Sequence, residues 1–148
     1  MRARPVWKWT LLLGLACHLS GCSSFNREWR AASKSLNTPD DIVGRWEGTW
    51  TSTSTGHQER LRCLITKQNE RGYTARFHAK YRHVLSFGYT VPLKVRKVER
   101  EFQFEGEADL GKLAGGVYAY KGAATPTNYF STYDSKYDHG TFRMTPPR

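Results

Sequence analysis

The sequence predicts an all-β domain, a small antiparallel up-and-down barrel of about eight strands. Three observations carry that expectation. Apolar or aromatic residues recur at every second position, turn residues interrupt these runs at short intervals, and no run has the period of an amphipathic helix. Consecutive hairpins account for most of the connections. Closure into a barrel removes exposed strand edges, which a fold without disulfides would otherwise have to protect.

The elements follow in order. Trp46 and Trp50 lie on one face of a first strand. Leu61, Cys63 and Ile65 alternate with Arg60, Arg62 and Leu64 in a second, and Asn69-Glu70-Arg71-Gly72 supplies a hairpin loop. Tyr73-Ala75-Phe77-Ala79-Tyr81 then points one way, and Thr74, Arg76, His78 and Lys80 point the other. Phe87-Tyr89-Val91-Leu93-Val95 repeats the pattern, with Pro92 on the opposite face and Gly88 expected as a kink or bulge. Phe102-Phe104, Val117-Ala119, Tyr129 to Tyr133 and Thr141 to Thr145 supply shorter strands.

The barrel domain is expected over residues 39–148, starting at Pro39-Asp40-Asp41, because proline disfavours helix at the residue before it. Ahead of it, the polar stretch 22–38 reads as a tether with room for one short helical turn. The first residues are different in kind. A basic start (Arg2, Arg4, Lys8) precedes an uncharged, leucine-rich stretch too short to span a bilayer, which ends in Leu19-Ser20-Gly21-Cys22.

That ending resembles the lipobox of bacterial lipoproteins. The resemblance implies a signal peptide over 1–21, cleavage before Cys22, and fatty acylation of Cys22 as a membrane anchor. Ser23 follows the cysteine, where many inner-membrane lipoproteins have Asp, so the resemblance implies the outer membrane, facing the periplasm. With Cys17 in the signal and Cys22 acylated, only Cys63 is left and no intramolecular disulfide can form. The core must hold the fold, and 14% aromatic residues supply its bulk.

A second resemblance is to the calycin barrels, the lipocalins and their relatives, through Gly44-Arg45-Trp46. It implies that Trp46 closes one end of the barrel beneath a basic side chain from the last strand. Arg143 is the expected candidate, as an arginine over an indole face is favourable by about 0.5–2 kcal/mol. The short chain argues against a large ligand cavity.

The formal charge is +10. Outside the cytoplasm such an excess points to anionic lipid headgroups or cell-wall polymers and not to nucleic acid. From Arg60 to Arg100, Lys and Arg far outnumber the acids Glu70 and Glu99. Alternation turns Arg60, Arg62, Arg76, Lys80, Arg82, Lys94 and Arg96 outward, where neighbouring strands would merge them into one anion-binding wall.

No catalytic signature emerges, and neither a metal nor a cofactor is expected. Gly106 to Leu113 has the glycine and lysine spacing of a phosphate-binding loop but lacks the hydroxyl residue that follows the lysine, so it reads as a turn. Cys63 falls on the buried face of its strand, away from His78, and reads as core. Asp134, Asp138 and His139 match no calcium loop or zinc set and read as a hairpin.

Two functions remain. One is a non-enzymatic, lipid-anchored envelope module that touches anionic components through its basic wall. The other is a calycin-like carrier of a small apolar or aromatic ligand; a hydrolase using His139 has little support. A lined interior would favour the carrier and a dry core the module.

Overall fold

A computed structural model describes residues 24–34 and 40–148. The signal segment and Cys22 lie outside the described residues. Eight strands form one closed antiparallel barrel: β1 (Gly44–Ser52), β2 (Gln58–Lys67), β3 (Gly72–Tyr81), β4 (Leu85–Val98), β5 (Glu101–Asp109), β6 (Val117–Ala124), β7 (Tyr129–Asp134) and β8 (His139–Thr145). Each strand pairs with the next, and β8 returns to β1.

Alternation sends one residue set inward throughout. Trp46, Leu61, Ile65, Ala75, Phe77 and Val91 are fully buried, while Arg60, Lys80, Lys94 and Glu105 are exposed on the outer face. An apolar interior and a charged exterior are the reverse of a barrel that crosses a bilayer with its strands. Cys63 is buried among the core residues, and burial pushes its thiol well above the usual range, which leaves it a small apolar residue.

The β1–β8 seam closes tightly because both strands carry inward glycines. A Cβ at Gly48 would strike the backbone carbonyl of Arg143, and one at Gly140 that of Thr51. Polar side chains set the hairpins. Asn69 Oδ1 accepts the amides of Arg71 and Gly72 between β2 and β3, and Ser135 Oγ accepts that of Asp138 between β7 and β8. The Gly106–Leu113 stretch is the end of β5 and a loop with a 3-10 turn, Lys112–Ala114. Asp109 caps that loop through the Gly111 amide.

Two expectations need correction here. Gly88 neither kinks nor bulges β4, whose pairing with β3 runs without interruption through His78↔Gly88. The stretch read as a tether is helical over residues 24–32 (α1), and α1 packs on the barrel wall. Phe25 is 1% exposed and forms an outer apolar cluster with Trp29 and Leu64. The i, i+4 spacing puts both rings on one helix face. Leu64, outward on β2, gives them an apolar seat.

Arginines clamp those rings. The Arg62 guanidinium lies 5.1 Å from the Phe25 ring centroid and 5.2 Å from that of Trp29, with Arg76 over Phe25 and Arg45 over Trp29. Arg62 also donates to Asn26 Oδ1, and Arg76 pairs with Glu28 and donates to Ser24 Oγ. His78 stacks against Phe25 at 5.0 Å with Arg62 beside it.

Burial first, and the charges of Arg62 and Lys80 next, hold the His78 pKa below its usual range. The docked state therefore binds fewer protons than the undocked one, and docking weakens as pH falls through the ordinary histidine range. Corrected for the intrinsic rise of exchange with pH, the protection of amides across residues 24–32 is expected to be lower at about pH 5 than at about pH 8. His78→Gln should flatten that dependence.

Candidate functional site

The connections β1–β2, β3–β4, β5–β6 and β7–β8 gather at one end of the barrel, and the two ends differ. The far end is a floor. Trp46 is buried there, its Nε1–H donating to the Ile42 carbonyl at 2.9 Å, with the Tyr129 ring 5.8 Å away and Phe104 stacked on Tyr129. Asp41 fastens the entry strand from outside by accepting from Lys67 and Tyr73. Gly44, at φ 132°, gives the chain a turn into β1 that a side chain would strain.

The loop-bearing end opens into a cup of about 570 Å³. Its walls are Trp50, Tyr89, Tyr118, Tyr120, Tyr133 and Phe142, with Ala79 and Leu110 between them. The buried Phe77 ring packs behind these walls, 5.2 Å from Tyr89 and 5.3 Å from Phe142. One side is wider because β4 pairs with β5 only from Leu93↔Gly106 onward. Residues 85–92 of β4 pair with β3 alone, and Pro92, at the boundary, has no N–H to offer β5. Phe87 and Tyr89 line the flared part.

The polar groups of the cup are phenols, the Asp138 carboxylate and the Lys112 ammonium. The Tyr89 and Tyr120 rings stack at 6.3 Å, and Tyr133 donates to Asp138 Oδ2 at 3.0 Å. Burial raises the pKa of Tyr89, Tyr120 and Tyr133 well above the usual range, so all three stay neutral at any physiological pH. Asp138 also accepts from Ser52 Oγ at 2.6 Å. Its negative charge is thus already engaged.

Beside the mouth, the buried carboxylate of Glu59 accepts the His83 amide at 3.1 Å, with the rings of His57 and His83 3.4 and 3.3 Å away. His57 packs between Trp50 and Tyr81. This clasp ties the β1–β2 connection to the β3–β4 connection. Its members come from separate segments, and no spacing in the sequence links them.

The basic residues do not form one continuous wall. β2, β3 and β4 are neighbours, as a merged patch requires. Arg62 and Arg76 are nevertheless engaged by α1, Arg60 pairs with Glu47 at 3.1 Å, and Arg96 donates to Gln103. Lys80 and Lys94 stay exposed, and Arg82 lies at the cup end over Tyr81.

Arg143 is not over Trp46, contrary to expectation. It faces outward between the inward Phe142 and Met144, and its guanidinium stacks on Phe130 at 4.7 Å. Asp134 is outward and exposed. Among the described residues no group of three or more His, Cys, Asp or Glu could hold a metal ion. No family model, curated protein or solved structure compared with this chain matches it.

Proposed function

We propose that the protein is a non-enzymatic, lipid-anchored barrel of the bacterial envelope that holds one small, flat, apolar or aromatic molecule in the cup. The aromatic cup carries this reading. A volume of about 570 Å³ falls within the span of small-molecule sites, which are mostly apolar with a few placed polar groups. Ring-on-ring contacts add about 0.5–1.5 kcal/mol each beyond area burial, and the phenols offer neutral hydrogen bonds. Below the lip the walls present no unengaged charge, which favours an uncharged ligand. The anchor rests on Leu19-Ser20-Gly21-Cys22. A contact between the basic wall and anionic polymers has less to stand on, because α1 occupies Arg62 and Arg76.

Titration with N-phenyl-1-naphthylamine, a neutral planar dye that brightens in apolar sites, tests the cup. The wild-type chain is expected to bind it with a Kd of about 1 μM. Leu110→Trp, which crowds the mouth, should weaken binding about tenfold. Lys94→Gln with Arg96→Gln, on the outer wall, should leave it unchanged. A wild-type chain that gives no signal, or a Leu110→Trp chain that binds as well, would count against the cup.

A further inference from the structure

From the arrangement of the cup's rim, we infer that this end of the barrel docks on a lipid bilayer carrying anionic headgroups. Most of the large apolar side chains left in water lie at the cup end, with Val98 and Phe130 at the other. Val84 sits between β3 and β4, Leu85 opens β4, Leu113 is on the 3-10 turn between β5 and β6, and Tyr137 lies between β7 and β8, all at the cup end. Val84 is 85% exposed and Leu113 wholly so.

The backbone bends to present them. Arg82 and His83 adopt φ 50° and 60°, a region that residues other than glycine seldom enter, and the next two residues are Val84 and Leu85. Glu59 returns part of that cost by holding the His83 amide and ring, while the two side chains that follow, Val84 and Leu85, stay solvent-exposed.

The cations choose the partner. Arg82 lies over the Tyr81 ring, Lys136 over the Tyr137 ring, and Lys112 precedes Leu113. Long basic side chains beside tyrosine and aliphatic tips suit a bilayer interface, where the apolar parts enter and the charges meet headgroups. Of the nearby acids, Asp138 is held by Ser52 and Tyr133, Asp109 takes the Gly111 amide, and Asp134 and Glu107 face out without such a bond. Separate tips around an open mouth make a poor flat interface for a folded protein. They suit a fluid surface into which each can sink by itself. This docking needs neither the acyl chain on Cys22 nor a ligand in the cup.

The test uses the full chain with Cys17→Ser and Cys22→Ser, which leaves only buried Cys63. A nitrobenzoxadiazole label is placed at Leu113→Cys or, at the opposite end, at Val98→Cys. Vesicles of phosphatidylcholine with one quarter phosphatidylglycerol are expected to raise emission at position 113 about threefold, with a blue shift, and to leave position 98 unchanged. Val84→Ser with Leu85→Ser should demand about tenfold more lipid for the same response at 113. Equal responses at both positions, or none at 113, would overturn the proposal. So would a blue shift at 113 that needs no vesicles and grows with protein concentration, since the rim would then meet a second copy of the chain. Dye binding in the cup is read separately, so either idea can fail alone.

Discussion

Phe77→Ala is expected to cost about 3–5 kcal/mol of folding stability, which urea or thermal unfolding will measure. A domain of this size is stable by about 5–15 kcal/mol in all, so the variant should sit near the edge of folding. The effect is large because the ring is 1% exposed and touches Tyr89, Tyr120 and Phe142, residues from three other strands. No neighbour can collapse into the space without leaving its own place in the barrel. Phe77 also backs three residues that line the cup, so its loss would open space beside them. The variant that survives should therefore accept a larger apolar ligand than the wild type.

The second large effect concerns α1. Phe25→Ala with Trp29→Ala removes both rings from the wall, and each buried aromatic side chain contributes about 1.5–3 kcal/mol. A helix of nine residues does not hold together in water by itself, so undocking and unfolding are one event. Amide exchange over residues 24–32 should accelerate about a hundredfold or more, while the barrel strands keep their protection. The double variant should also bind anionic vesicles more strongly in low salt, because Arg62 and Arg76 are released to face solvent. Unchanged exchange over residues 24–32 would return this stretch to a tether.

The strands were legible because a half-buried strand must alternate, and the inward series from Trp46 to Met144 does so. The same rule already placed Arg143 outside, between Phe142 and Met144. Borrowing a closing role for it from the calycin resemblance set the local pattern aside, and Phe130 took the guanidinium instead. The helix left a fainter trace. Leu64 is apolar on a face otherwise basic, and Phe25 and Trp29 are spaced to cover it, but nothing in the sequence joins positions so far apart. Alternation also lists the aromatic residues of the interior without saying which end stays open. That depends on where β4 leaves β5 and how the loops turn, which are properties of the closed barrel.

Docking of α1 changes what the lipobox resemblance would mean mechanically. A tether of residues 22–38 would let the barrel wander from its anchor. With α1 on the wall from residue 24, an acylated Cys22 would hold the barrel close, and a rim of Val84, Leu85, Leu113 and Tyr137 would give that barrel a preferred face toward the bilayer. A ligand entering from the membrane would then meet the cup directly.

Native mass spectrometry of the chain isolated from cells that make it tests the central claim most directly. The account predicts one non-covalently bound small molecule per chain, released by gentle activation and displaced by N-phenyl-1-naphthylamine. A chain that arrives empty and still takes up none of the dye would contradict it.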